Sequence, residues 1–411
     1  MTGVLDLLSL ADIEAARQLL TGVVRTTPLE ISRPLRLSLG VPTWLKCENM
    51  QRAGSYKVRG AYTRIARLSD EERARGVVAA SAGNHAQGVA LAAGLLGTRA
   101  TVFMPEGAPL PKVSATKGYG ASIEYAGSSV DDALVAAREF ADRTGAILIH
   151  PFDHPDVIAG QGTVGLEILD QCPDVGTIIT AVGGGGLISG VAVAAKALRP
   201  EVRIIGVQAT GAASYPPSLA AGAPVKLPES TTIADGIAVL RPGDLNFAHV
   251  SKLVDDFITV TDEELSAALL VLLERHKMVV EPAGAAAVAA LIAGKIDVAG
   301  PVVAILSGGN IDPMLLLRVI EHGLVSAGRF LRLSVRCGDQ PGELARLLAA
   351  IAEHRANIVD VFHSRQNPRL SFGEVEVALS VETRGPDHST TLIGALRDSG
   401  YQVSLLSGAN S

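Results

Sequence analysis

Apolar positions along this chain follow two different periods. From about residue 75 to residue 310, short β-branched runs alternate with longer Ala- and Leu-rich stretches of helical period, which predicts α/β units around a mostly parallel sheet. Strands are expected at 77–80, 100–104, 177–182, 202–207 and 301–306, and each runs into a turn rich in Gly, Ser, Asn or Pro. Open α/β sheets bind ligands at the carboxyl ends of their strands, so these exits are the first places to look for chemistry.

A different grammar begins near Arg329. Leu331, Leu333, Val335 and Cys337 share one face of 330–337, and Val375, Val377, Leu379 and Val381 share one face of 372–383. Period-2 alternation of this kind predicts half-buried antiparallel strands. Between them, 342–354 reads as a helix opening just after Pro341, and 357–365 as another strand. A second helix at 387–399 and a last strand at 401–406 complete the order βαββαβ, a small α+β ferredoxin-like unit able to fold on its own. Residues 321–328, with two glycines and no strong period, are the expected linker between a region 1–320 and a region 329–411.

A chain of 411 residues with 48% hydrophobic and 19% charged residues is long enough for more than one core and gives no sign of extensive disorder. Its 43 glycines fit many turns and close backbone approaches. The formal net charge of −6 offers no basic footprint for nucleic acid or an anionic membrane. Cys47, Cys172 and Cys337 lie far apart, without CxxC or matching His spacing, which disfavours disulfides and zinc and points to a reducing, cytoplasmic setting. The N-terminus lacks the pattern of a signal peptide. The longest apolar run, 281–295, contains Pro282 and two glycines and falls short of the roughly 20 apolar residues a bilayer demands.

Four segments are candidates for chemistry. In 48–61, a glycine-serine turn (Gly54, Ser55) delivers Lys57 to the first turn of an expected helix, where the helix dipole disfavours an ammonium and favours a neutral amine. Taken alone, this is equally the pattern of a solvated surface lysine. The second, Ser81-Ala82-Gly83-Asn84-His85, follows the strand 77–80 and opens a long helix. Small residues there let a carboxylate reach the backbone amides, although a plain Asn/Ser cap reads the same way. The third is Gly183-Gly184-Gly185-Gly186-Leu187, between an apolar strand and a helix. Such a run can turn successive N–H groups onto one phosphate, and it matches neither the P-loop nor a clean dinucleotide spacing. The fourth, Ser307-Gly308-Gly309-Asn310, again leaves an apolar strand and offers a neutral hydroxyl able to hydrogen-bond a pyridine nitrogen.

Taken together and in this order, the segments resemble the fold-type II pyridoxal-phosphate family, whose fold is tryptophan synthase β-like with two α/β lobes. Within it they resemble the threonine dehydratases (threonine ammonia-lyases) and the related serine dehydratases and serine racemases, over about residues 5–320. The resemblance implies that pyridoxal 5'-phosphate is bound by Lys57, the catalytic lysine, and contacted by Asn84, Gly183, Gly184, Gly185, Gly186, Leu187, Gly236 and Ser307. It implies an amino-acid substrate over Ser81, Ala82, Gly83, Asn84 and His85. Tyr56 stands where the family has Phe. Serine racemases place a second serine where this chain has Ala82, and without that hydroxyl racemisation is expected to be poor. Members with a divalent cation offer acidic ligands after the strand matching 202–207; the positions here, Gln208, Ala212 and Ser214, have no carboxylate, so no metal is expected. The C-terminal unit resembles the ACT regulatory domain, which implies an amino-acid effector at Gly338-Asp339-Gln340-Pro341-Gly342 and a homo-oligomer, dimer or tetramer. The expected reaction is loss of water and ammonia from L-threonine to give 2-oxobutanoate, with L-serine as a second substrate. β-Replacement on the same fold, and a non-catalytic amino-acid sensor, are the alternatives.

Overall fold

In the computed structural model, which describes residues 7–298, 300–326, 328–366 and 370–406, the chain divides into two compact units, Met1–Pro313 and Met314–Ser411. The strands of the first unit are β1 (Leu29–Ile31), β2 (Thr43–Lys46), β3 (Val77–Ala80), β4 (Ala100–Met104), β5 (Ser122–Tyr125), β6 (Ile147–Leu148), β7 (Thr177–Ala181), β8 (Arg203–Ala209), β9 (Asp256–Val260) and β10 (Val302–Ile305). They form two sheets. One has the order β5-β4-β3-β6 and is parallel throughout. The other has the order β1-β2-β10-β7-β8-β9, parallel except for the antiparallel edge strand β1. Every residue of β3, β7 and β10 is buried, as expected for parallel strands covered on both faces, and this accounts for their largely apolar sequences, Thr177 and Thr180 of β7 being the exceptions. The predicted strand 202–207 extends to Ala209 because β9 pairs with it as far as Ala209 opposite Val260.

One helix sets the positions of the two segments that matter most. Pro155–Gln171 packs against the helix Lys57–Ala66 on one side and the helix Gly186–Leu198 on the other. Both approaches are backbone-close. A Cβ on Gly160 would lie 2.5 Å from the Arg59 carbonyl oxygen, and one on Gly190 would lie 2.4 Å from that of Ile158. Substituting either residue would therefore force the helices apart. The first contact is also locked by charge. Arg59 is fully buried and donates to Glu48 at 2.7 and 2.8 Å and to Glu167 at 2.7 Å, while Lys46 of β2 reaches Glu167 at 2.6 Å. Breaking such a buried pair from one side typically costs about 3–5 kcal/mol.

The second unit comprises β11 (Phe330–Gly338), the helix Glu343–Glu353, β12 (Asn357–Ser364), β13 (Glu374–Glu382), the helix Pro386–Asp398 and β14 (Gln402–Leu405). Its antiparallel sheet has the order β12-β13-β11-β14, so the first and third strands of the unit are central, the ferredoxin-like arrangement. The alternation seen in the sequence is the burial pattern of β13, with Val375, Val377, Leu379 and Val381 turned to a core shared with Leu347, Ile351, Leu392 and Leu396. Phe372, expected to open that strand, precedes it and is fully exposed. The expected linker 321–328 is helical as far as Ser326, within Pro313–Ser326, and the division between the units falls at Pro313 and Met314. Val319 and Gly323, one turn apart, are both buried, and Gly323 does not interrupt the helix.

Candidate active site

Two distant loops anneal to present Lys57. Ser55 forms a bridge with Gly308, the Tyr56 amide donates to the Ser307 carbonyl at 3.2 Å, and the Gly309 amide donates to the Gly54 carbonyl at 2.9 Å. Gly54 is required here: its φ is +69°, and the Asn310 side chain lies 2.3 Å from where its Cβ would be. Lys57 follows as the first residue of its helix, its ammonium nitrogen 2.9 Å from the Pro151 carbonyl oxygen and 5.3 Å from the centre of the Tyr56 ring. Burial draws the amine down to about 8, and the negative field of Glu281 opposes that shift. The near-neutral amine expected from the helix end is thus produced chiefly by desolvation.

The glycine run lies on the far side of the same short segment. Phe152, next to Pro151, packs so closely that a Cβ on Gly184 would lie 2.4 Å from its ring and one on Gly186 3.0 Å from its carbonyl oxygen. A Cβ on Gly185, whose φ is +106°, would lie 2.0 Å from the Tyr215 hydroxyl oxygen. Protein thus fills the side-chain side of the run. Its amide side differs: among the described residues, none accepts a hydrogen bond from the N–H groups of Gly183, Gly184, Gly185 or Gly186. The last three residues are buried and open the helix Gly186–Leu198 together with buried Leu187. Buried donors without acceptors are costly, and at a helix N-terminus they suit an anion.

Asn84 begins the helix Asn84–Leu95 and lies against Ser307-Gly308. It donates to Glu281 at 2.6 Å and accepts from Asn310 at 2.8 Å, and a Cβ on Gly308 would lie 3.0 Å from its amide nitrogen. The Ser307 hydroxyl has no hydrogen-bond partner among the described residues. Gly236 faces the same group, with Ala283 3.0 Å and Glu281 3.7 Å from its would-be Cβ. The next residue, Ile237, lies over Gly183, so 236–237 spans from Glu281 to the glycine run. Of the expected substrate residues, Ser81 turns its hydroxyl onto the Gly83 amide at 3.1 Å, and Ala82 and Gly83 are half-buried. His85 differs from expectation in its side chain. The ring is buried and donates from Nε2 to the Ile149 carbonyl at 2.8 Å, and burial, then the charge of Lys57, push it down to about 3. Only its backbone amide is left for a carboxylate.

Three residues escaped the sequence reading. Glu281, the N-cap of the helix Pro282–Ile292, is buried within reach of Asn84, and burial, followed by the charge of Asp235, raises it to about 7. His150 accepts from the Asp153 amide at 2.8 Å and stands edge-on to Phe152, and burial pushes it down to about 4. A neutral His150 thereby shapes the segment between Lys57 and the glycines. Asp153 accepts from the amides of Asp244, Leu245 and Asn246, holding the helix Asp244–Leu253 beside the glycine run. A glutamate at a helix start and a histidine after a two-residue strand are ordinary locally, so nothing in the sequence marked them.

The donor set fits a phosphorylated aldehyde: a near-neutral amine, acceptorless amides on one side of it, and a free Ser307 hydroxyl with the Asn84 amide on the other. Comparison with known proteins agrees. The sequence profile described as "Pyridoxal-phosphate dependent enzyme" matches residues 20–308. An L-threonine ammonia-lyase of Thermotoga maritima is 47% identical over 401 residues, covering 97% of this chain and 100% of the relative. One of Geobacter sulfurreducens is 47% identical over 395 residues, covering 96% and 98%. Among solved structures, the processed threonine deaminase isoform 2 of Solanum lycopersicum has a TM-score of 0.73 at 40% identity, over 77% of this chain and 87% of that one. Maize serine racemase has a TM-score of 0.73 at 39% identity, over 77% and 98%. Among the described residues, no helix is long and apolar enough to cross a membrane. A profile match over most of the chain, joined to identity of this extent, makes the chain a member of the pyridoxal-phosphate dependent enzymes.

Proposed function

We infer that the protein is an L-threonine ammonia-lyase, a carbon-nitrogen lyase that eliminates water and then ammonia from L-threonine to give 2-oxobutanoate, with L-serine converted to pyruvate. The observation that carries this reading is a single amine, Lys57, held near neutrality with Pro151–Phe152 between it and a row of buried, acceptorless amides. Relatives of almost the same length named L-threonine ammonia-lyase support the choice of substrate.

Pyridoxal phosphate, when bound, supplies the electron sink for the amino acid's α-carbon. Gly183, Gly184, Gly185, Gly186 and Leu187 would hold its phosphate, Asn84 and Gly236 would lie along its ring, and Ser307 would offer a hydroxyl to its pyridine nitrogen. Lys57 would hold its aldehyde and would serve as the base for the substrate's α-proton, a task suited to an amine near 8. The backbone amides at Asn84 and His85 would receive the substrate carboxylate, beside the Gly83 amide that the Ser81 hydroxyl already engages. Because burial pushes the His85 ring down to about 3, it is too weak a base to compete with Lys57 for the proton. Ala82 has no hydroxyl to work the opposite face of the α-carbon, which favours elimination over racemisation.

The second unit is proposed to be an ACT-type regulatory domain with an amino-acid effector. Its fold supports this, as does the loop 338–342: Gly342 adopts φ +89° at the start of a helix, and Asp339 is gripped by Arg365 at 2.8 and 2.9 Å. A homo-oligomer and a cytoplasmic setting complete the proposal, the latter in keeping with three free thiols.

The test is to incubate purified protein with L-threonine alone and assay ketoacid, then repeat with isoleucine or valine present. 2-Oxobutanoate from threonine alone, changed by a branched-chain amino acid, is the expected result. Turnover only with an added nucleophile or with phosphohomoserine would overturn the lyase reading.

A further inference from the structure

Beneath the glycine run, three oxygens converge on one amide. Gln208 is buried in β8, and its side-chain nitrogen lies 3.3 Å from the Val182 carbonyl oxygen, 3.5 Å from that of Ala212 and 3.5 Å from the Ser214 hydroxyl. The orientation of the amide is fixed by chemistry. Two of these neighbours are carbonyls that can only accept, and the side-chain oxygen accepts from the Tyr215 amide at 2.9 Å. Carbonyl and hydroxyl oxygens around a common centre are the ligand types of a hard cation. Here the set has no carboxylate to neutralise one, and N–H groups already point into it. These residues do not fit a divalent cation.

The place of this amide in the fold gives it a task. Val182 immediately precedes Gly183. Tyr215 begins the helix Tyr215–Ala221, donates its hydroxyl to the Gly184 carbonyl at 3.2 Å and fills the space beneath Gly185, its ring stacked on Phe257 with centres 4.9 Å apart. Gln208 therefore joins the strand exit that starts the run to the residue that supports its middle. We propose that the Gln208 amide is an internal, uncharged substitute for a cation in this oxygen cage, a positioning residue that sets the glycine run for phosphate without any metal. The inference rests on the reading that this run holds the cofactor phosphate.

The experiment measures the dissociation constant of pyridoxal 5'-phosphate and the melting temperature of the cofactor-free protein, each in EDTA and in magnesium or manganese chloride. Wild type is expected to give the same values in all media. Gln208→Leu weakens cofactor binding by about tenfold or more whatever the cation, and Gln208→Glu weakens it comparably in EDTA but recovers when the cation is added. Recovery by a metal is a response that a merely space-filling side chain would not give. A wild-type affinity that falls in EDTA, a Gln208→Leu protein that binds cofactor like wild type, or a Gln208→Glu protein indifferent to cations would each overturn the proposal. If the variants fail to fold, the wild-type comparison still decides between a cation and an amide in the cage. Gly185→Ala is the separate control: unchanged cofactor affinity in that variant would remove the phosphate reading of the run, independently of Gln208.

Discussion

Replacing Glu281 with Gln tests the electrostatics of the site without involving its chemistry. The amide keeps an oxygen to accept from Asn84 and removes a carboxyl that the fold holds at about 7 instead of 4.5. Because the folded value is the higher one, the folded protein retains a proton that the unfolded chain gives up. The resulting stability is whole below about pH 4.5 and is lost as the pH rises through about 7. With the carboxyl at about 7 in the fold and 4.5 in the unfolded chain, and 1.36 kcal/mol for each tenfold, the stability lost by wild type is about 3 kcal/mol at pH 8 and less than about 1 kcal/mol at pH 5. Two other buried groups work in the opposite direction: His85 and His150, lowered to about 3 and about 4, exclude a proton that the unfolded chain binds, so their contribution grows as the pH rises towards 6.5. Wild type and variant share those groups, and the difference between the two proteins isolates Glu281. The assay is urea unfolding of the cofactor-free protein from pH 5 to pH 8, followed by fluorescence of Trp44, the single tryptophan, which lies in β2 and reports on the first unit. The variant should gain on wild type steadily as the pH rises. A stability difference that stays constant across that range would refute the argument, since it would mean that Glu281 is ionised in the fold as readily as in the unfolded chain.

Other outcomes follow from the same geometry. Lys57→Ala should lower ketoacid formation by roughly a thousandfold or more, measured by steady-state assay with L-threonine; near-normal turnover would rule out Lys57 as the base. Cofactor-free wild type should bond to the cofactor aldehyde faster as the pH rises through about 8, where Lys57 loses its proton, and a stopped-flow absorbance series would show it. Arg59→Met leaves Glu48 buried without its guanidinium partner and should cost about 3–5 kcal/mol in the Trp44 transition, with partial recovery when Glu48→Gln is added. Asp339→Asn breaks an exposed bidentate pair, so melting should hardly move while the effector concentration for half-response rises.

The parts of the site legible in the sequence were those whose chemistry is written locally. A run of glycines is unfavourable unless backbone amides or close approach require it, and a glycine-serine turn before a lysine, or a serine after an apolar strand, occupies the exit where an α/β sheet places ligands. β3 and β4 were readable to the residue because strands covered on both faces are apolar at nearly every position, half-buried Thr101 of β4 being the exception. The helix Pro313–Ser326 reads in sequence as partly linker because glycine usually weakens a helix, whereas Gly323 is buried within it without interrupting it.

By itself, then, the sequence determined the two periods of apolar residues, five strands of the first unit, the order of strands and helices in the second, and which turns are rich in unhindered amides, since each depends on neighbours a few positions apart. Tertiary structure alone decided that Glu281 lies 2.6 Å from Asn84 across 197 positions of chain, that burial brings Lys57 near neutrality, and that the Gln208 amide stands where three oxygens meet. Desolvation and hydrogen-bond partnership depend on what the whole fold places around a group, and no local pattern records them.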